Sequence, residues 1–503
     1  MKPIEVVLKG WSGKEFDGFV KHLNVREGRR GVLDRSLAMA LREKGFEKEK
    51  FIAKAYGALN ENSIGSYHAL RIRLSNQVLT YLSQIAISEN EIEDQVMEWV
   101  RASRYLFKHG FDSWGVDVLK KATALAQEHG APFIEAWVLN ERIAQLGSDQ
   151  QIDLIGFNES RKVLNREIEL EQRMLLAQAE LAQALMKRRV EAGSIQPLEV
   201  LEKIFEDYHL SVESIQNPLL LHRLTVMVRA VLVADKEFTE LYSFLKDQMQ
   251  HIDLLGGYPP GAEEAVEMQY MMAHSSYRCR EYKEVFDRMP TLYQEIHSMV
   301  KVKREQWFRK AVLLEAQTKN FSGQLNAAMD LLLRMKSHSA FVKPSDEKNH
   351  LILNLGVLYF QKGRFDQVFI CFKLLRHRDN WYRNHMGVEW VFKKQMIELI
   401  AHIELHEDEK ALAQLNKLRT YSKTFFDQTP YQRILSFLDL IQMYLSDRGA
   451  WKEELVMPLL SRKLVVNRSY QEDLQAVAFY TWLKSKAVKR EYYPLLLEMV
   501  AME

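Results

Sequence analysis

Turn-forming residues are scarce along this chain. It has 22 Gly and 11 Pro among 503 residues, about half the usual share of roughly 7 per cent Gly plus 5 per cent Pro. A β-sandwich or barrel needs a turn about every 8–12 residues, with the Gly, Pro and Asn that make them. A dinucleotide-binding α/β fold needs Gly-rich phosphate loops. The shortage disfavours both and leaves long helices joined by few turns. Between Tyr67 and Ile85 the apolar positions are Tyr67, Leu70, Leu74, Val78, Tyr81, Leu82 and Ile85. Those steps of three and four mark one face of an amphipathic helix. No stretch alternates with period two between hairpin turns, so the chain reads as all-α.

Local signals place some boundaries. Ser12-Gly13-Lys14-Glu15 and Ser88-Glu89-Asn90-Glu91 have the form of capping boxes. The first is expected to open the first helix after a short extended lead. Pro259-Pro260-Gly261 is expected to end one helix and let Ala262 begin the next. Asn158 to Val190 contains no Gly or Pro and predicts one or two long helices that interrupt any repeat.

Apolar residues make up 47% and charged residues 27% of the chain, the balance of a globular protein. The net charge of +2 sets up no global field for nucleic acid or an anionic membrane. Two cysteines, Cys279 and Cys371, form no disulfide framework and fit a reducing compartment. The N-terminus lacks the apolar core of a signal peptide, and no run reaches the 18 apolar residues of a membrane span. A cytoplasmic location without membrane association is expected.

Helical arrays are tested for repeats first. The clearest unit is Leu351 to Leu375, in which Leu355-Gly356 is followed by Tyr359, Gly363, Phe365, Val368, Phe372 and Leu375. A small residue at Gly356 lets a second helix approach, and Gly363 permits a tight turn. The residues from Phe365 onward form an inward stripe. With Gly356 as anchor, the frame also fits Ser103, Ala273, Ala316 and Leu399, and most weakly Arg229. Anchors 273, 316, 356 and 399 are 43, 40 and 43 residues apart.

This unit is similar to the tetratricopeptide repeat, whose first helix carries L-G-x-x-Y. The whole chain also resembles a type of helical-repeat protein common in Bacteroidota. That likeness rests on Lys14-Glu15-Phe16-Asp17-Gly18-Phe19, on Met396 to Leu418, and on Tyr431-Gln432-Arg433-Ile434-Leu435-Ser436-Phe437. The resemblance implies a right-handed superhelix (an α-solenoid) of antiparallel helix pairs, here with a repeat of about 40–43 residues. The expected organisation is an N-terminal helical cap or small bundle over 1–90, repeats over 91–425 with an irregularity near 158–190, and a C-terminal helical cap over 426–503.

In tetratricopeptide solenoids the first helix of each pair lines a concave groove. Carried over, those positions are Tyr270, His274 and Arg278; Lys310, Gln317 and Asn320; His350, Asn354 and Gln361; and Lys393. They suit hydrogen bonding to an extended or helical peptide. Family members that clamp a terminal carboxylate use Lys and Asn at set positions. Here Leu353 and Val357 are apolar, so that clamp is not reproduced.

Reactive motifs are sparse. His402 and His406 lie at i and i+4, but Ile403 stands where a zincin needs Glu, so a packing histidine is expected. Cys279 and Cys371 are too far apart for a zinc finger, and Cys371 reads as a buried thiol beside Phe372. Gly28-Arg29-Arg30-Gly31 is too short for a phosphate loop. Basic clusters occur at Arg26 to Arg35, Lys187 to Arg189, Lys301 to Arg304 and Lys484 to Arg490. A further segment holds Arg376, Arg378, Trp381, Tyr382 and Arg383, mixing cations with aromatics as single-strand binders do, at a connection where solvated charge is ordinary. The expectation is a non-catalytic scaffold or adaptor with a protein or peptide partner and no cofactor or metal. RNA or single-stranded nucleic-acid binding through 376–383 is the alternative.

Overall fold

The computed structural model describes residues 3–11, 13–24, 29–43, 45–87, 92–130, 132–145, 154–191, 196–212, 215–259, 262–299, 301–342, 345–425, 432–449, 451–463 and 474–501. These form α-helices and, among the described residues, no strand. They divide into two compact units, Met1–Ala126 and Gln127–Glu503. The boundaries expected near 90 and 425 lie outside the described residues. So do Ser12, the Ser88 capping box, Pro260, Gly261 and residues 26–28 of the first basic cluster.

The first unit holds α1 (Pro3–Gly10), α2 (Gly13–Asn24), α3 (Arg29–Arg42), α4 (Lys48–Tyr56), α5 (Glu61–Ile87), α6 (Ile92–Lys108) and most of α7 (Asp112–His129). The extended lead expected before α2 is instead the helix α1. Pro3 begins it, where the missing N–H costs nothing, and Ile4 and Leu8, four residues apart, are buried with Phe16, Phe19, Leu37 and Leu41. On α5 the stripe is inward as expected: Tyr67, Leu70, Leu74 and Val78 are buried. Asp34, buried beneath it, is held by Arg73 Nε at 2.9 Å.

The second unit continues with α8 (Pro132–Ala144), α9 (Leu154–Glu191), α10 (Pro197–Asp207), α11 (Pro218–Asp235), α12 (Phe238–Leu254), α13 (Glu263–Arg278), α14 (Tyr282–Ser298), α15 (Lys301–Phe321) and α16 (Leu325–Lys336). Then come α17 (Asp346–Gln361), α18 (Phe365–Phe372), α19 (Asp379–Met386), α20 (Val388–Glu404), α21 (Asp408–Phe425), α22 (Gln432–Ser446), α23 (Glu453–Lys463), α24 (Leu474–Val488) and α25 (Tyr492–Ala501). The long helix expected over 158–190 is one helix, α9. Helix α12 stops at Leu254, ahead of the expected prolines, because Gly256 and Gly257 turn left-handed, with φ of 102° and 77°. Caps fix other starts. Asn217 Oδ1 accepts from Leu219 N at 2.9 Å, with Pro218 behind it, and Ser345 Oγ accepts from Lys348 N at 3.1 Å.

Among the described residues nine helices end in one kind of turn; those at His209 (Leu210 N to Phe205 O) and Gly256 (Gly257 N to Ile252 O) fall off the repeat register, and the other seven join the two helices of a pair. The first helix ends in a residue of positive φ: Gly110, Lys236, Arg280, Gly323, Gly363, His406 and Lys489. Each turn closes with the same backbone bond, in which the next N–H donates to the carbonyl five residues back. It runs from Phe111 to Leu106, Glu237 to Leu232, Glu281 to Ser276, Gln324 to Lys319, Arg364 to Tyr359, Glu407 to His402 and Arg490 to Ser485, at 2.8–3.2 Å. This is the Schellman closure. Six of the seven turns stand seven residues after Ser103, Arg229, Ala273, Ala316, Gly356 and Leu399, so the anchors share one register, Arg229 included. The seventh extends the frame to α24–α25. The positions between Gly110 and Lys236 where a step of 42 would put turns, 152 and 194, lie outside the described residues.

Packing follows the same register. Twelve and sixteen residues after the anchors, the second helices bury Leu241, Val285, Ala328, Val368 and Ala411, and then Leu119, Leu245, Met289, Leu332, Phe372 and Leu415. Each of the larger side chains contributes about 1.5–3 kcal/mol of burial, and each alanine about 0.8 kcal/mol. In the clearest unit Gly356 lies against Phe372, Cys371 Sγ donates to Ile352 O at 3.3 Å, and Phe360 meets Phe365. Residues ascending one helix meet residues descending the other, so the pair is antiparallel. First helices also pack on one another. Tyr270 meets Trp307 edge-on at 5.6 Å, Arg309 Nε donates to Glu347 Oε2 at 3.2 Å, and Gln317 Nε2 donates to Asn354 Oδ1 at 3.4 Å.

The last pair, α24–α25, packs back across the ends of four first helices. Arg280 donates to Val500 O at 3.2 Å, and the Tyr493 hydroxyl to Asn320 O at 2.5 Å. Phe360 meets Tyr492 at 5.1 Å between ring centroids. Glu404 accepts from Trp482 Nε1 at 2.7 Å and pairs with Lys486 Nζ at 2.5 Å.

Candidate functional site

The first-helix layer of α11, α13, α15, α17 and α20 carries most of the residues singled out from sequence. Tyr270, His274 and Lys310 come together there. Tyr270 stacks on His274 at 6.1 Å, and Lys310 Nζ lies 4.0 Å over the Trp307 ring. Burial, followed by the charges of Arg229 and Arg278, holds the His274 imidazole well below its ordinary range, so it is neutral at pH 7. Its Nδ1 is buried and has no hydrogen-bond partner. Burial also lowers the Lys310 ammonium, against the raising influence of Glu267 and Glu347.

The others divide. Gln317 and Asn354 bond to one another across α15 and α17. Arg278 turns onto the Phe238 ring at 4.0 Å, the start of a neighbouring second helix. His350 and Lys393 are half-buried on the layer. Asn320 and Gln361 are only 3% and 4% exposed, because α25 lies over them. A groove reading could not anticipate that cover, which comes from a segment more than a hundred residues later.

Sequence reasoning missed a neighbouring network. His222, buried on α11, meets the Tyr258 hydroxyl through Nδ1 at 2.8 Å and Glu267 Oε2 through Nε2 at 3.1 Å. Burial pushes the Glu267 carboxyl up, but the His222 hydrogen bond and the charges of His222, Arg229 and Lys310 outweigh it. Nothing about His222 on the apolar stripe of α11 announces partners 36 and 45 residues away.

The chemical candidates resolve into packing. His402 Nδ1 meets Glu407 Oε2 at 2.6 Å and its ring lies 4.4 Å from Phe369. His406 occupies the left-handed turn, its Nδ1 2.7 Å from Arg448 Nη1. The two rings therefore do not converge, and among the described residues no His, Cys, Asp and Glu group could hold a metal ion. Burial pushes the Cys371 thiol up to about 12 and the Cys279 thiol up to about 11, so neither is a ready nucleophile at neutral pH.

The basic and aromatic segment forms α19 and the bend before it. Trp381 is stacked between His377 and His385, at 4.1 and 3.9 Å. Tyr382 is buried against Trp390, and Arg383 lies over Phe425 at 4.7 Å. Arg376 and Arg378 are exposed. A cleft of about 1020 Å³ lies elsewhere, lined by Arg419, Asp439, Met443, Trp451 and Pro458. Arg419 and Asp439 close on one another there at 2.5 Å.

Fold and site together define an all-helical protein of packed helix pairs, in which no described helix is long and apolar enough to cross a membrane. No protein-family model, curated protein or solved structure matches the chain.

Proposed function

We propose that the chain is a non-catalytic interaction scaffold or adaptor, cytoplasmic, built as a right-handed superhelix of tetratricopeptide type. It grips a protein or peptide along its first-helix face. The supporting observation is the shared turn. From Lys236 to His406 the on-register turns recur at steps of 40–44 residues, first helix packs on first helix, and such stacking leaves a long continuous face. Tyr270, His274, Lys310, Gln317, His350 and Lys393 belong to that face, and all are partly exposed. The same economy of turns leaves few loops on which an acid, a base and a nucleophile could converge. The nucleic-acid reading has less support, since both faces of Trp381 are already covered by histidines.

The test is affinity purification from the native host with mass spectrometry, comparing the wild type with Tyr270→Ala/Lys310→Glu. The expected result is a reproducible protein partner whose recovery falls about tenfold in the variant, a loss of about 1.4 kcal/mol. A partner recovered equally with both proteins, or no partner at all, sinks the reading. RNA that co-purifies and is lost steeply with salt would establish the alternative.

A further inference from the structure

We infer that Arg229, Tyr270, His274 and Lys310 form the subsite of the first-helix face that takes an acidic side chain, Asp or Glu, of the bound protein or peptide. This rests on the reading of that face as a binding surface and adds what its occupant must carry.

The first observation is an arginine at a position that otherwise holds small or apolar residues. The other anchors are Ser103, Ala273, Ala316, Gly356 and Leu399, whereas α11 has Arg229. Its Nε is buried and meets no hydrogen-bond acceptor. A donor this far from water is ordinarily paired, because an unpaired one loses its hydration without compensation. The Arg229 charge acts on Tyr270 and His274 of α13 and on Lys310 of α15, so the four residues belong to one electrostatic cluster across three successive first helices.

The second is that the neighbouring carboxylates are engaged elsewhere. Glu267 Oε2 lies 3.1 Å from His222 Nε2. Glu263 accepts from Trp307 Nε1 at 2.8 Å and pairs with Lys303 Nζ at 3.1 Å. Glu347 pairs with Arg309 Nε at 3.2 Å. The Lys310 ammonium rests on the Trp307 ring. Of the two charges on Arg229 and Lys310, Glu267 balances one at most. Positive charge is therefore left over among side chains that are partly exposed on the face.

The third is the chemistry around that charge. Tyr270, stacked on His274 and backed by Trp307 at 5.6 Å, offers a ring against which the methylene stem of Asp or Glu can lie. The neutral His274 adds an N–H without adding a charge. Arginine and lysine donors give a carboxylate charge-assisted hydrogen bonds, the strong kind. A phosphate would instead set a second negative charge against Glu267, Glu347 and Glu263, all of which act on Lys310. The layer continues past the cluster, α15 packing on α17 and α17 on α20. A segment lying along it crosses the cluster and presents a side chain there rather than its end.

Short random peptides screened against the full chain test this. They are coupled to beads through their C-termini, so that only side chains supply carboxylates. The wild type should enrich peptides with Asp or Glu at one fixed position. Replacing that acid by its amide in an enriched peptide should weaken binding about tenfold. Arg229→Gln should weaken the acidic peptide about tenfold and leave the amide peptide unchanged, so that the two losses do not add. Lys310→Met should behave in the same way and carries the test if Arg229→Gln does not fold. An acid whose loss adds in full to that of Arg229→Gln overturns the subsite, as does enrichment seen only in a second library with free C-termini. Peptides with no shared acid that still lose affinity for Tyr270→Ala/Lys310→Glu overturn the subsite and keep the binding face. Peptides indifferent to that variant, or no enriched peptide at all, overturn both.

Discussion

The pairs α17–α18 and α13–α14 close with the same turn from different residues. In the first, Gly356 stands at the close helix contact and Gly363 takes the left-handed position, with φ of 70°. In the second, Ala273 is the small residue and Arg280 takes the same position at 66°. A non-glycine residue there costs roughly 1–2 kcal/mol. The turn therefore does not depend on glycine. It is set by the helices on either side, whose buried stripes must meet, and glycine only lowers its cost. Arg280 also has a task that glycine could not perform, donating to Val500 O.

The sharpest way to break the comparison is at the close contact. A Cβ on Gly356 would collide with the Phe372 ring, lying 2.5 Å from Cζ. Gly356→Leu should destabilise the array by about 3 kcal/mol, the upper range for overpacking, and chemical denaturation reads it directly. Ala273→Gly should leave its pair intact and cost about 1 kcal/mol through helix propensity. A Gly356→Leu protein that unfolds at the wild-type midpoint would place the contact elsewhere.

A second contrast sets α8–α9 against α19–α20. Burial, with repulsion from Glu167, lifts the Glu135 carboxyl to about 7 from its ordinary 4.5. The folded state then holds a proton that the unfolded chain has lost, so stability falls as pH rises through that window and is level above it. Partial exposure limits the effect to about 1–2 kcal/mol. Asp379 has the opposite sign. Burial raises its carboxyl, but the Lys394 charge and the hydrogen bonds of Lys417 and Gln395 outweigh it and hold it below 3.8. Its stabilisation is present at neutral pH and is lost as pH falls through the lowered value. Exchange protection of α8–α9 should therefore weaken from about pH 5 to pH 8 in the wild type, and Glu135→Gln should remove the trend. Protection that is level across that range in the wild type would refute the assignment.

Much of the helix-pair frame was legible because small and apolar side chains must recur where helices touch. Ser103, Ala273, Ala316, Gly356 and Leu399 announce themselves in that way. Arg229 does not, yet its turn at Lys236 is on register, because seven residues separate the anchor from the turn whatever side chain stands there. Glycine marks the turns only at Gly110, Gly323 and Gly363. Lys236, Arg280 and His406 adopt the same conformation with no signature, since the cost is met by packing that no local window contains. Asn320 and Gln361 read as groove residues because their spacing along the helix is right. Their cover, α25, packs over them from far along the chain, with no periodicity linking the two.

The smallest effect separates the two ways of making the turn most cleanly. Gly363 has no other atom within 4 Å of the place where a Cβ would stand, so Gly363→Ala meets no steric obstacle and reports backbone strain alone. It should cost about 1 kcal/mol. Lys236→Gly runs the exchange in reverse, at φ 65°. The relief of strain is offset in part by the greater freedom of glycine in the unfolded chain, leaving a gain of about 0.5 kcal/mol. Denaturation midpoints of the two variants should move in opposite directions. If both fall, the left-handed residue in the lysine turn is held by contacts of its own side chain, and the turns are not interchangeable.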